Sequence, residues 1–190
     1  MLRTYNPLSV DELGRNAARA LMDYPPEVLP PAETFDGAGV YTIHYQGSFP
    51  AYANLGKDKP IYVGKADLPG KRQGRAQPAT PVLHRRLTEH AGSIDSATNL
   101  NLADFRCRWL VLDPVWIGLT EQVLIAGYRP IWNVVVDGFG HHDQGRTRRN
   151  QRRSRWDTLH PGRPWAAHYQ DAKDSADAIL EAISEHRKEG

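Results

Sequence analysis

The sequence predicts an α+β fold, and three observations support this class. β-branched and aromatic residues form runs at 40–45, 60–64 and 105–112, as is typical of strands. Helical periodicity and capping signals flank these runs. The resulting order of helix, strand, strand, helix, strand, helix predicts a small mixed sheet with helices packed on it.

The first helix is expected from about Val10 to Met22, because Ser9 and Glu12 form a capping box before it. The prolines of Tyr24-Pro25-Pro26 end this helix, since proline cannot continue one. Two strands follow, and they lie close enough in the chain to pair as an antiparallel hairpin with a long loop.

Three further helices are expected over residues 82–91, 114–127 and 172–188. Asp113-Pro114 is a helix start with a capping carboxylate and a proline in the first turn. The strand at 105–112 should alternate inward and outward side chains.

The composition fits a globular protein, with 40% hydrophobic and 24% charged residues. No apolar run approaches the roughly 20 residues that cross a bilayer, and the first residues lack the apolar segment of a signal peptide. One cysteine, Cys107, excludes an internal disulfide and a cysteine-rich zinc site. We therefore expect a cytoplasmic protein without a membrane partner.

Two basic segments interrupt this ordinary composition, although the formal net charge is only +2. They are a Gly- and Pro-rich loop at 66–81 and an arginine run at 144–155 without an acidic residue. Like charges at this density repel one another unless a polyanion is present, which predicts nucleic-acid contact. The expected DNA-binding residues are Lys71, Arg72, Arg75, Arg146, Arg148, Arg149, Arg152 and Arg153.

Seven polar residues carry the candidate chemistry. They are Tyr41, Tyr62, Lys65, Arg86, His90, Glu121 and Asn133. Arg86 and His90 are four apart on a helix and share one face, whereas Glu121 lies in an apolar helix, where a carboxylate is costly without a cation or partner. Such a set offers proton acceptors, charge stabilisation at phosphorus and one ligand for Mg²⁺, as phosphodiester hydrolysis requires.

Each residue alone also has a structural interpretation. Tyr41 and Tyr62 could pack on a core, and Arg86 with His90 could form a solvated helix face. Glu121 could belong to a salt bridge and Asn133 to a turn.

The pattern as a whole resembles the GIY-YIG nuclease superfamily. Gly39-Val40-Tyr41 followed by Tyr62-Val63-Gly64-Lys65 is similar to the paired signature of that superfamily, with Val in place of Ile in both halves. The helix with Arg86 and His90, the later Glu121 and the trailing Asn133 follow in the same order. The gaps between Tyr41, Tyr62 and Arg86 are longer than in the simplest members. The resemblance covers residues 39–133.

The resemblance implies a three-stranded antiparallel sheet with flanking helices, one divalent metal and one-step hydrolysis that leaves a 5′-phosphate. Mg²⁺ is the expected cofactor, with Mn²⁺ as a substitute, and Glu121 is its implied ligand. Tyr41 is implied as general base, tuned by Tyr62 and His90, although either tyrosine could take the role. Arg86 and Lys65 are implied to hold the scissile phosphate, and Asn133 matches a further site position.

A short chain with one cysteine resembles the compact type II restriction endonucleases of the superfamily, including those that cut CCGCGG. Arginine reads guanine in the major groove, so we expect a GC-containing palindrome, a homodimer and a cognate DNA methyltransferase as genetic partner in a prokaryotic cytoplasm. The alternatives are a repair or mobile-element nuclease and a non-catalytic DNA-binding protein on the same fold.

The expected organisation is one nuclease domain over residues 1–190. An N-terminal helical arm (1–35) precedes the catalytic core (36–135), which contains the loop at 66–81. An arginine-rich arm and the last helix (136–190) follow the core.

Overall fold

The computed structural model describes residues 10–53, 55–56, 58–68, 80–141 and 151–189. The strands are β1 (Glu27–Val28), β2 (Gly39–Tyr45), β3 (Tyr62–Ala66) and β4 (Phe105–Val111). The helices are α1 (Val10–Asp23), α2 (Val82–Asp95), α3 (Pro114–Tyr128), α4 (Ile131–Val134), α5 (Arg155–Leu159) and α6 (Ala176–Glu189). Short 3₁₀ turns lie at Leu102–Asp104 and Ala166–His168.

The strands form one sheet in the order β1-β4-β2-β3, and each neighbouring pair is antiparallel. The α+β class is confirmed, but the expectations of a mixed sheet and of three strands are wrong for the described residues. The additional strand is β1, whose two residues pair with Cys107 and Arg106 at the edge of the sheet. Prolines on both sides of β1 hid this strand in the sequence, since proline marks edges and turns rather than strands.

Strand β2 is the centre of the sheet, and all seven of its residues are buried. Side chains alternate between the two faces of a strand. Helix α2 packs on the face that carries Tyr41, whose hydroxyl contacts His90 of that helix. Helix α3 packs on the other face, where it also contacts α1. Tyr41 therefore comes from a strand that cannot move without disturbing both layers.

The predicted helices are present with small shifts at their ends. Helix α3 begins as expected, because the Asp113 side chain accepts a hydrogen bond from the Val115 amide and Pro114 occupies the first turn. Helix α2 continues to Asp95, and α6 begins at Ala176 rather than at residue 172. The capping residue proposed for the first helix, Ser9, lies outside the described residues.

The alternation expected in β4 holds only for its first half. Phe105 and Cys107 are fully buried, whereas Val111 is 49% exposed. Arg108 is buried because its guanidinium donates to the Tyr24 carbonyl at 2.7 Å and to the Asp58 carboxylate at 3.0 Å. These acceptors come from distant parts of the chain, so periodicity could not predict them.

The chain after residue 150 returns to the core through buried aromatic and imidazole groups. The His160 Nδ1 proton is donated to Asn99 Oδ1 at 2.9 Å, because the Asn99 amide nitrogen is itself bonded to the Leu159 carbonyl. His160 Nε2 then accepts from the Tyr52 hydroxyl at 2.6 Å. Burial lowers the pKa of His160 to about 3, so the ring is neutral in the folded protein. Across the described ranges, no helix is both long enough and apolar enough to span a membrane.

Candidate active site

Tyr41 lies at the centre of the candidate site. Its hydroxyl is 2.5 Å from Nε2 of His90, and the side chains of Tyr62 and Arg86 also hydrogen-bond with it. Tyr41 is fully buried. Three other residues singled out from the sequence therefore meet at the Tyr41 hydroxyl.

The two glycines of the signature are explained by close approaches. Tyr41 pairs with Gly64 across β2 and β3, and a Cβ on Gly64 would lie 2.5 Å from Cζ of Tyr41. A Cβ on Gly39 would lie 2.9 Å from the backbone carbonyl carbon of Leu110. Both distances are shorter than carbon–carbon contacts allow. Glycine is therefore needed at both positions. Gly39 lets β2 approach β4, and Gly64 leaves room for the Tyr41 ring over β3.

Helix α2 supplies Arg86 and His90 on one face, as their spacing predicts. The Arg86 guanidinium donates to the Gly140 carbonyl at 2.8 Å and to the Glu89 carboxylate at 3.2 Å. Its side chain remains 19% exposed, whereas His90 is buried. Arg86 is thus a partly exposed, oriented cation beside the buried tyrosine–histidine pair.

Tyr62 is the half-buried member of the tyrosine pair. Its ring centroid lies 6.2 Å from that of Tyr41 and 5.3 Å from that of His90. Phe139 closes the group, since its ring stacks on His90 at 4.5 Å and meets Tyr62 edge-on at 4.9 Å. Sequence reasoning missed Phe139, because a lone aromatic in a loop carries no periodic signal.

Both phenols are neutral at neutral pH. Burial raises the pKa of Tyr41 well above its usual range, and the neighbouring Tyr62 raises it further. Burial also raises the pKa of Tyr62, although the Arg86 charge opposes this effect. Either tyrosine can accept a proton only if its own proton leaves, and Nε2 of His90, 2.5 Å from the Tyr41 hydroxyl, can take that proton in the tautomer that is protonated on Nδ1.

Lys65 and Glu121 form an ion pair at 2.8 Å, and their side chains are 38% and 19% exposed. This hydrogen bond raises the pKa of Lys65 above its ordinary value. Because side chains alternate along β3, Lys65 lies on the opposite face of the sheet from Tyr62. However, β3 is an edge strand, so the two faces of the sheet adjoin along its outer edge. The Glu121 charge still acts on the Tyr62 phenol, whose pKa it raises together with the larger effect of burial.

Asn133 contacts the backbone of the tyrosine strand. Its Oδ1 accepts from the Val63 amide and its Nδ2 donates to the Val63 carbonyl, both at 2.8 Å. The amide group therefore mimics one residue of a neighbouring strand along β3. Because Val63 lies between Tyr62 and Gly64, Asn133 fixes the strand that presents the site.

The predicted DNA-binding residues are only partly described. Lys71, Arg72, Arg75, Arg146, Arg148 and Arg149 lie outside the described residues. Arg152 is exposed and forms a bridge with Gln170, while Nη2 of Arg153 lies 3.6 Å from the Asp171 carboxylate. Among the basic residues proposed from the sequence, Arg152 thus lies at the described surface, near residues 138–141.

Glu121 is the carboxylate that the sequence points to for a metal. Within the described ranges, no group of three or more His, Cys, Asp or Glu side chains could hold an ion. Mg²⁺ commonly uses one or two carboxylates and completes its shell with water and substrate phosphate. A half-buried carboxylate such as Glu121 fits a site of this kind, to which the substrate contributes ligands.

These features define a class of protein. Paired tyrosines on adjacent antiparallel strands, an Arg/His helix and a carboxylate helix form the arrangement of a GIY-YIG nuclease. A model of the Eco29kI GIY-YIG domain matches residues 33–187, so the chain belongs to that family of restriction endonuclease domains. No curated protein matches the chain significantly.

Proposed function

We propose that this protein is a type II restriction endonuclease that cuts double-stranded DNA at a specific site. Family membership supports a nuclease that acts on DNA. The observation that carries the proposal is the Tyr41 hydroxyl, which contacts His90 at 2.5 Å and hydrogen-bonds with Arg86 and Tyr62. A buried phenol with both a proton acceptor and a cation beside it suits attack on a phosphodiester.

In the proposed reaction, the oxygen of a water molecule bonds to phosphorus while the bond from phosphorus to the 3′ oxygen breaks. Tyr41 accepts the proton of the water as its own proton passes to Nε2 of His90. Because the pKa of Tyr41 is raised by burial, this transfer to His90 is what makes the phenol basic enough to act. Tyr62 is the second candidate for this role, since it is the more exposed phenol. The 3′ oxygen takes a proton from bulk water as it leaves, so the products carry a 5′-phosphate and a 3′-hydroxyl.

Arg86 and Lys65 bind the phosphate in this proposal. The Arg86 guanidinium is oriented by Gly140 and remains partly exposed, so it can donate to two phosphate oxygens at once. Lys65 is the more exposed cation and contributes a point charge. Asn133 keeps Tyr62 and Lys65 in register by fixing β3 through Val63.

Glu121 would hold the metal, which we propose is Mg²⁺ with Mn²⁺ as a substitute. When bound, the ion supplies positive charge to the phosphate and to the leaving oxygen. Lys65 would share the Glu121 carboxylate with the ion, because the two side chains are in direct contact. Weak metal binding before DNA arrives is therefore expected.

The proposed substrate is a GC-containing palindrome, with CCGCGG as the first sequence to test. Arginine-rich segments favour guanine contacts in the major groove, and a palindrome is matched by a twofold homodimer. The loop at 66–81 and the arginine run, which includes the exposed Arg152, are the proposed readers of the site. A DNA methyltransferase encoded nearby would protect the host and favour restriction over repair or mobile-element functions.

The test is digestion of a phage DNA by the purified protein with Mg²⁺ and, separately, with EDTA. Discrete, reproducible fragments that depend on Mg²⁺ are expected. Glu121→Ala should abolish cutting but retain DNA binding, whereas Glu181→Ala, an exposed carboxylate of α6, should cut normally. A smear or uncut DNA from the wild type would refute the type II proposal, and full cleavage by Glu121→Ala would refute the metal assignment.

A further inference from the structure

Residues 138–141 form a loop, which we call the site loop, that closes over the candidate site. The Gly140 carbonyl accepts from Arg86 at 2.8 Å, and the Phe139 ring stacks on His90 at 4.5 Å. A Cβ on Gly140 would lie 2.8 Å from the Tyr62 hydroxyl. This site loop therefore touches three of the residues to which the proposed function assigns chemistry.

One guanidinium holds the site loop in place. Arg163 donates to the carbonyls of Gly138 at 2.9 Å, Phe139 at 3.1 Å and His141 at 3.3 Å. Its Nε donates to the Asp157 carboxylate at 2.6 Å. Both charged side chains are almost completely buried, at 0% and 3% exposure. Three of these four hydrogen bonds thus fix three carbonyls within four consecutive residues, and the fourth holds Asp157.

Neighbouring side chains hold the Arg163 guanidinium and its partner Asp157 in position. Trp156 lies under the guanidinium at 4.4 Å, and Ser154 donates to the second Asp157 oxygen at 2.6 Å. A buried ion pair contributes little net stability compared with well-packed apolar residues, because both ions lose their hydration. The three carbonyl contacts of Arg163 give this costly pair a specific consequence, which is a defined path for the site loop.

We propose that Arg163 is a positioning residue for the active site, which rests on the proposed nuclease function. It acts through the site loop, whose Gly140 carbonyl orients Arg86 and whose Phe139 ring fixes His90. Arg163 thereby completes the site from a fully buried position in the C-terminal extension. Loss of Arg163 should misplace Arg86 and His90 while the DNA-binding surface remains intact.

The test compares Arg163→Lys with Arg187→Lys. Lysine keeps the charge opposite Asp157 but cannot reach three carbonyls with one ammonium group. Arg187 of α6 is a matched control outside the arginine run, because it donates to the carbonyls of Ala51 at 3.1 Å and Ala53 at 2.7 Å but has no described contact with residues 138–141. The measurements are the single-turnover cleavage rate and the DNA dissociation constant without metal.

Arg163→Lys should lower the cleavage rate by roughly 10- to 100-fold, since errors of about 1 Å in catalytic geometry have effects of this size. Its DNA affinity should remain within threefold of wild type, and Arg187→Lys should remain within twofold in both measurements. An Arg163→Lys enzyme that cleaves within threefold of wild type would overturn the proposal. So would a loss of rate explained entirely by weaker DNA binding.

Two further measurements test the proposal if Arg163→Lys does not fold or if the protein does not cut DNA. Gly140→Ala leaves the Arg163 contacts in place but crowds Tyr62, so it should show the same loss of rate at unchanged affinity. A Gly140→Ala enzyme of wild-type rate would overturn the role of the loop.

The second measurement is the NMR signal of the ¹⁵N-labelled Arg86 guanidinium, which needs no substrate. It should shift in Arg163→Lys and not in Arg187→Lys, even if the wild type cuts no DNA. An unchanged Arg86 signal would overturn the positioning role independently of nuclease activity.

Discussion

Gly64→Ala is the substitution that most sharply tests the close packing at Tyr41. The new methyl group would lie 2.5 Å from Cζ of Tyr41 and 3.0 Å from Cε1 of Tyr62. Carbon atoms pack at about 3.5–4.0 Å, so the Tyr41 ring must move by about 1 Å. Tyr41 is fully buried and cannot rotate into solvent, and its hydroxyl would leave the 2.5 Å contact with His90.

A displacement of this size should lower the cleavage rate about 100-fold, equivalent to about 2.7 kcal/mol of activation free energy. The overpacked strand should also lose about 1–3 kcal/mol of unfolding free energy. The assay is single-turnover cleavage with enzyme in excess, well below the melting temperature of the variant. DNA affinity measured without metal should change little.

Gly92→Ala is the matched control for this experiment. Gly92 lies in α2 two residues after His90, and an added Cβ would meet no heavy atom within 4 Å. This variant should gain about 0.5–1 kcal/mol of stability, as alanine does over glycine inside a helix, and cleave at the wild-type rate. A folded Gly64→Ala enzyme within threefold of wild type would refute the role given to the Tyr41–Gly64 contact.

Three further predictions concern the tyrosines, Asn133 and His160. Tyr41→Phe should lower single-turnover cleavage at least 100-fold with the fold intact, although the lost buried contact with His90 should cost about 1–3 kcal/mol of unfolding free energy. Tyr62→Phe should lower cleavage less, and the reverse order would assign the base to Tyr62. Asn133→Asp loses the donor to the Val63 carbonyl and should cost about 1–3 kcal/mol in urea unfolding together with most of the cleavage rate, and an unchanged rate would remove Asn133 from the site. The pKa of His160 is about 3 in the folded protein and about 6.5 when unfolded, so the unfolded chain binds more protons between these values. The free energy of unfolding should therefore fall by up to about 1.4 kcal/mol per pH unit as the pH drops below 6.5, and this slope should be absent from the unfolding curves of His160→Gln.

The site could be predicted from the sequence where the signal is local. Arg86 and His90 share a helix face because they are four residues apart, and both reach Tyr41 as that spacing implies. The start of α3 followed from Asp113 and Pro114, since a capping side chain and its proline are adjacent in the chain. Such features depend on residues within one turn of each other.

The parts that the sequence did not reveal depend on contacts between distant segments. Arg163 bonds to carbonyls 22 to 25 residues away, and nothing in its neighbourhood predicts burial of an arginine. The same holds for Arg108, which the Tyr24 carbonyl, 84 residues away, helps to satisfy inside the sheet. Glu121 was expected to be a metal ligand or a salt-bridge partner in an apolar helix, but nothing local in the sequence pointed to Lys65 as the residue with which it pairs.

The central claim is that the cluster around Tyr41 is the active site of a site-specific endonuclease. The most direct measurement is to sequence the DNA ends produced by the wild-type protein with Mg²⁺ and to determine their chemistry by ligation. All ends should fall within one short GC-containing palindrome. They should also ligate without prior phosphorylation, because each carries a 5′-phosphate. Ends scattered over unrelated sequences, or ends that carry a 5′-hydroxyl, would contradict the central claim.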